Sequence, residues 1–223
     1  MRPAAQVLCV PGVGLDAAAW RPTLDGLPQW PSAVAVLPGY GARRRPGEPL
    51  DPVALGRRVA RERLAGRSGV VLVGHSAGCQ VAVEAALAAP GSVAAVVLIG
   101  PTTDPRARSW RRLVVRWLRT AAHERLWQVP TLVRSYTRTG PRHLLAALGA
   151  ARHHDVRAAV RALDRPVLVV RGPRDRICPA DWASELASYG APGSRVVTLA
   201  GGAHMVPLTD GPAVAAVLRE VLG

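Results

Sequence analysis

The chain predicts an α/β fold: a mostly parallel, doubly wound sheet of about six strands with helices on both faces. Three observations predict it. Short apolar runs alternate with helix-forming stretches along all 223 residues. The runs are apolar throughout rather than at every second residue, which marks strands covered on both faces, as in parallel sheets. Several of them end in Gly-containing loops, the punctuation expected where a strand gives way to a helix. The length is ample for one domain with a substantial core.

In chain order, strands are expected at residues 6–10 (QVLCV), 33–37 (AVAVL), 70–74 (VVLVG), 93–100 (VAAVVLIG), 166–171 (PVLVVR) and 195–199 (RVVTL). Between and after them, helices are expected at residues 52–65, 79–89, 180–188 and 212–222. No internal repeat at solenoid periods and no low-complexity tract interrupts this order.

The most specific motif is VVLVGHSAG at residues 70–78, a strand running into Gly74-His75-Ser76-Ala77-Gly78 and then a helix. A serine in so sharp a turn needs small neighbours two before and two after it, here Gly74 and Gly78. The turn lifts the Ser76 hydroxyl out of the sheet, at the positive end of the following helix. Such a hydroxyl is a weak nucleophile without a base, and the base needs an acid to fix its tautomer. Downstream, the strand 166–171 leads through Gly172-Pro173-Arg174 to Asp175, and the strand 195–199 leads through Ala200-Gly201-Gly202-Ala203 to His204. Ser76, Asp175 and His204 therefore come in the order of a nucleophile-elbow triad.

With these pieces the chain resembles the α/β-hydrolase superfamily from its first strand to its last helix. The matching stretches are VLCVPGVGLDAAAW, AVAVLPGYG, VGHSAG, VLVVRGPRD and GGAHMVPL. The resemblance implies Ser76 as nucleophile, His204 as general base and then acid, and Asp175 as the orienting acid. It also implies an oxyanion hole from the backbone N–H groups of Val13 and Ala77. The family usually carries His-Gly after the first strand, where this chain has Pro11-Gly12, so that loop is expected to be shaped differently. Asp104, just past the strand 93–100, is the alternative acid, because some members carry it there. Asp181 reads as an early helix residue. His75 is expected to point away from the nucleophile, and His123, His143, His153 and His154 lie in polar helical segments. The first strand begins within ten residues, so the hairpin that opens larger members is expected to be missing.

Charge is the second informative feature. The 29 basic residues face 15 acidic ones, and all 29 are arginine; lysine and phenylalanine are absent, a bias expected of a GC-rich bacterial genome. Residues 101–165 hold 14 of the arginines and four acids, Asp104, Glu124, Asp155 and Asp164. This stretch is too long for a bare loop. It falls where the superfamily inserts a lid, which divides the chain into a hydrolase core (1–100 and 166–223) and an Arg-rich helical lid (101–165). From about residue 109 to 122, Trp110, Leu113, Val114, Trp117, Leu118 and Ala121 follow helical spacing and form one apolar face. That face is expected to cover the cleft, with Arg108, Arg111, Arg112, Arg116 and Arg119 solvated; a membrane surface or anionic partner is the other use of such a helix. Trp110, Trp117, Trp127, Leu132 and Tyr136 are candidate apolar walls.

These features point to acyl transfer on a small, anionic acyl substrate drawn by the basic lid, through an acyl-Ser76 intermediate. Ester and thioester hydrolysis, including acyl groups on CoA or a carrier, remain open, as does a ligand-responsive interaction protein with little turnover. Ser76 at the elbow excludes relatives that use a carboxylate nucleophile. No cofactor is called for. The three cysteines, Cys9, Cys79 and Cys178, read as neither a disulfide framework nor a metal site. No nucleic-acid motif, signal peptide or transmembrane run is visible, and a cytoplasmic location is expected.

Overall fold

The computed structural model describes residues 6–223. Its main sheet has six strands: β1 (Gln6–Val10), β2 (Ser32–Val34), β3 (Val70–His75), β4 (Val93–Ile99), β5 (Val167–Arg171) and β6 (Arg195–Thr198). They lie in the order β2-β1-β3-β4-β5-β6, and every neighbouring pair is parallel. The helices on the two faces include α1 (Pro52–Val59), α2 (Gly78–Ala88), α7 (Ala180–Ser188) and α8 (Gly211–Leu222).

The apolar runs are explained by what covers each face. Register places Leu8 beside Leu72, Leu72 beside Val96 and Leu98 beside Val169. These side chains share one face with Leu55 and Val59 of α1, Val81 and Ala85 of α2, and Trp182 and Leu186 of α7. The alternate residues, Val7, Cys9, Val71, Val73, Val97, Ile99, Leu168 and Val170, meet Trp20, Leu27 and, from α8, Val214 and Leu218. Successive strand residues point to opposite faces, so strands covered on both faces are apolar at nearly every position, whereas the edge strands β2 and β6 expose Ser32 and Arg195.

Two elements differ from the sequence expectation. The strand expected at 33–37 is the short edge strand β2, after which Leu37–Pro38 pairs with Gly41–Ala42 in a separate two-stranded sheet. Pro38 cannot donate to a ladder, and Gly39 and Gly41 turn the chain with φ of 77° and 91°. The helix expected at 52–65 is α-helical only to Val59; Ala60–Leu64 forms a wider π turn that carries Ala60 and Leu64 into the core.

Between β4 and β5 the chain forms α3 (Trp110–Ala121), α4 (Val129–Thr139), α5 (Pro141–Ala151) and α6 (Val156–Arg161). The Ser109 hydroxyl caps α3 by accepting from the Arg112 amide. Gly140, at φ 84°, and Pro141 separate α4 from α5. At its far end this segment joins the core, where Ala147, Ala151, Val156 and Val160 share a cluster with Leu98.

The topology also selects a place for a site. From β1 the chain goes to β2 on one side and then crosses back to β3 on the other. The loops leaving the carboxyl ends of β1 and β3 therefore diverge, which opens a crevice at that point of the sheet.

Leu98 is fully buried at the centre of the sheet. Leu98→Ala is expected to cost about 2–5 kcal/mol, read as a lower urea midpoint with an unchanged slope. An unchanged midpoint would contradict the packing described.

Candidate active site

Ser76 immediately follows β3 with φ 54°; among the described residues no other non-glycine has positive φ. Such a conformation costs free energy and persists only where the surroundings impose it. Here the Ser76 amide donates to the Ile99 carbonyl at 2.9 Å, and its carbonyl accepts from the Cys79 amide at 3.1 Å. The flanking glycines are steric necessities. A Cβ on Gly78 would fall on the carbonyl oxygens of Val10 and Pro11, and one on Gly74 would fall on the backbone of Cys79. The loop after β1 presses on the same turn, since a Cβ on Gly12 would lie 3.1 Å from the Ser76 Cβ.

Val13 and Ala77 line the cavity beside Ser76. Among the described residues neither backbone N–H has a hydrogen-bond acceptor, although the next amide after Val13, that of Gly14, donates to Gly39 at 2.8 Å. Two unspent donors next to a hydroxyl suit an oxygen that gains negative charge.

His204 and Asp175 meet from separate loops. His204 Nδ1 donates to Asp175 Oδ2 at 2.7 Å, which leaves Nε2 as the acceptor nitrogen of the neutral ring. The other Asp175 oxygen accepts from the Ile177 and Cys178 amides at 2.8 and 2.9 Å. The buried Arg171 side chain props this loop, donating to the carbonyls of Cys178 at 2.9 Å and Asp175 at 3.2 Å. A Cβ on Gly100, at the end of β4, would lie 3.0 Å from His204 Nδ1 and 3.1 Å from Asp175 Oδ2.

Two residues important to this geometry escaped the sequence reading. His75, expected to point away, lies against His204 with ring centroids 5.0 Å apart, and its Nε2 donates to the His204 carbonyl at 2.9 Å. Burial and the neighbouring His204 push its pKa down to about 3, so it is a neutral prop. Glu124, counted only as one acid among arginines, accepts from the His204 and Met205 amides at 2.7 and 2.9 Å. Its other oxygen accepts from Gln128 at 2.9 Å. Neither partnership has a local sequence signal, because the partners are 129 and 80 residues apart.

Electrostatics follow from these contacts. Burial works against a charged His204, but the charge and hydrogen bond of Asp175, with Glu124 behind, outweigh it and hold the pKa above the ordinary imidazole value. Burial likewise disfavours ionised Asp175, yet the His204 charge, its hydrogen bond and the two amides hold that carboxyl below the usual range. Asp104, the alternative acid, is otherwise engaged. Its buried carboxylate accepts from Arg106 at 3.0 Å and from Arg116 of α3 at 2.7 Å, and no hydrogen bond joins it to His204.

Ser76 and His204 open on one cavity of about 600 Å³. Trp110, Leu113, Val114, Trp117 and Ala121 line it from α3, and Leu132 and Tyr136 from α4. The expectation for this segment needs three corrections. Leu118 faces away from the cavity, exposed, because it lies one stripe round the helix from Trp117; Trp127 also stands outside the lining. Arg116 is not simply solvated, since its guanidinium is drawn to buried Asp104. Among the described residues no cluster of three or more His, Cys, Asp or Glu is arranged to hold a metal ion.

Residues 7–217 match the profile of the alpha/beta hydrolase family. The chain belongs to that family. Among curated proteins it is 28% identical over 206 residues to the pimeloyl-[acyl-carrier protein] methyl ester esterase of Nitrosomonas europaea, covering 78% of this chain and 80% of the relative. Among solved structures it is similar to a hydrolase from Oleispira antarctica, with TM-score 0.83 at 16% identity, covering 99% of this chain and 91% of that one. An esterase from Thermogutta terrifontis superposes with TM-score 0.79 at 22% identity, covering 98% and 89%. At these identities the structural likeness speaks for the fold.

The pKa directions give an NMR test. The His204 ring should lose its proton at a pH above the ordinary midpoint of about 6.5, and His75 should show no transition across the neutral range. Glu124→Gln removes a negative charge that favours the imidazolium, so the His204 midpoint should fall. A midpoint unmoved by that substitution would separate Glu124 from the site.

Proposed function

We propose that this member of the family is a serine carboxylic-ester hydrolase acting on an apolar acyl chain through Ser76, His204 and Asp175. The observation that carries the reading is Ser76, held at φ 54° on the cavity shared with an Asp175-bound His204. The methyl ester esterase to which the sequence is similar supports the bond type.

The chemistry follows from the donors and acceptors. With Nδ1 committed to Asp175, His204 Nε2 accepts the Ser76 proton as Oγ attacks the ester carbonyl. The carbonyl oxygen becomes an oxyanion facing the free amides of Val13 and Ala77. Collapse of this intermediate breaks the bond to the alcohol oxygen, which takes the proton from His204 and leaves an acyl-Ser76 ester. Water then gives a proton to Nε2, attacks the acyl carbonyl, and releases the carboxylic acid while Ser76 recovers its hydrogen. Asp175, ionised and buried, offsets the imidazolium formed in each half.

Residues 101–165 act in this reading as a lid over the core formed by residues 1–100 and 166–223. Its α3 and α4 supply the apolar walls for the acyl chain. The surplus of arginines in residues 101–165 creates a positive potential that favours substrates with an anionic group.

Fluorophosphonate labelling read by mass spectrometry is the direct test. The wild type should gain one adduct on Ser76, and Ser76→Ala none; a folded wild type that stays unlabelled refutes the reading. On a panel of alkyl esters and matched thioesters, Asp175→Asn should reduce kcat on the order of 10³–10⁴-fold. Asp104→Asn should reduce it far less; the reverse order would make Asp104 the acid. If the lid attracts anions, raised salt should weaken the preference for anionic over neutral esters, and a flat response would remove the steering.

A further inference from the structure

We propose that the outer surface of α3 and α4 docks this protein onto an anionic lipid bilayer. Two neighbouring stripes of α3 have different fates. Trp110, Val114, Trp117 and Ala121 line the cavity. One position further round, Val115 and Leu118 do not, and Leu118 is 55% exposed. Past the end of α3, Trp127 is 55% exposed and Val133 of α4 53%, and these too lie outside the cavity lining. Leu126 marks where the two surfaces meet, since it lines the cavity and is still 86% exposed. Neither core packing nor substrate contact accounts for the outer group. Large apolar side chains left exposed by core and cavity alike mark an interaction surface.

The charge around them identifies the partner. From Pro105 to Arg152 there are eleven arginines and a single acid, Glu124, which is turned inward onto the His204 loop. Arg111, Arg119, Arg134 and Arg142 are exposed, and among the described residues none has a carboxylate within 4.0 Å. A protein partner reads a mixed pattern of charges. A surface of one sign, with no free carboxylate among its apolar side chains, instead matches an extended plane of negative headgroups. Tryptophan rings and arginine stems both sit well at the boundary between headgroups and acyl chains. No helix among the described residues is long and apolar enough to cross a membrane, so the attachment is peripheral. Because Leu126 joins the patch to the cavity mouth, docking turns the opening towards the lipid, where acyl esters with long chains concentrate.

Vesicle sedimentation of the full chain tests the proposal without relying on hydrolysis. Vesicles of phosphatidylcholine alone are compared with vesicles containing about one-third phosphatidylglycerol, at low and raised salt. The anionic vesicles should bind at least about fivefold more protein, and salt should erode the difference. Ser76→Ala should bind like the wild type, which keeps the result separate from the fate of the esterase reading. The double variant Leu118→Ser, Trp127→Ser should lose about fivefold or more of the binding. Its thermal melt and its labelling by fluorophosphonate should be unchanged, because both side chains are exposed and outside the cavity. Equal binding to the two vesicle types, or binding indifferent to the double variant, overturns the proposal. So does a dimer in solution that the double variant splits into monomers, which would make a second copy of the chain the occupant.

Discussion

The geometry at the cavity floor depends on how one irregular loop is held. His204 lies between β6 and the last helices, in backbone with no ladder or helical bonds of its own to position it. Three contacts substitute for that regularity: Asp175 on the ring at 2.7 Å, His75 on the carbonyl at 2.9 Å and Glu124 on the amide at 2.7 Å. They arrive from the end of β5, the end of β3 and the segment after α3, so the loop is fixed only when all three layers have assembled. Two of the three bonds involve an ionised carboxylate, the stronger class of hydrogen bond. They also bias the ring towards its charged form, so position and proton affinity have the same origin.

The sheet supplies the other half of that arrangement. β1 and β3 are neighbours that carry the chain to opposite sides, and their outgoing loops bring Gly12 and Ser76 into contact. β5, beside β4, and β6, beside β5, lie on the same side and deliver Asp175 and His204. Gly100, at the end of β4, passes beneath the Asp–His pair where a side chain would not fit. The site is therefore assembled at the carboxyl edge of one parallel sheet, and several of its glycines are present for want of space.

The arginine surplus serves more than one purpose. Arg106 and Arg116 neutralise buried Asp104 and tie α3 to the base of its segment. Arg171 spends its donors on backbone carbonyls around Asp175. Arg138 reaches Asp16 across the body of the chain at 3.3 Å. Others pair with surface carboxylates, as Arg58 does with Glu48 and Glu62 and Arg195 with Glu220, while Arg111, Arg119, Arg134 and Arg142 are exposed and have no carboxylate within 4.0 Å among the described residues. Burial and pairing divide one residue type into structural and surface roles, a division that no count of charges contains.

The parallel sheet could be read from the chain because its central strands, β1, β3, β4 and β5, are short runs apolar on both faces, most of them bounded by glycine or proline. The elbow could be read because its glycines sit at fixed offsets from Ser76. Asp175 and His204, which the structure pairs at 2.7 Å, stood out because each follows a strand in a glycine-containing loop. These are local signals, set by the few residues on either side. His204 bonds Asp175 and not Asp104, whose carboxylate Arg106 and Arg116 occupy, a division visible only in the tertiary structure. The roles of His75 and Glu124 depended on contacts across 129 and 80 residues. Such contacts have no period in the sequence; they exist only once the sheet, the loops at its edge and the helices above them share one space.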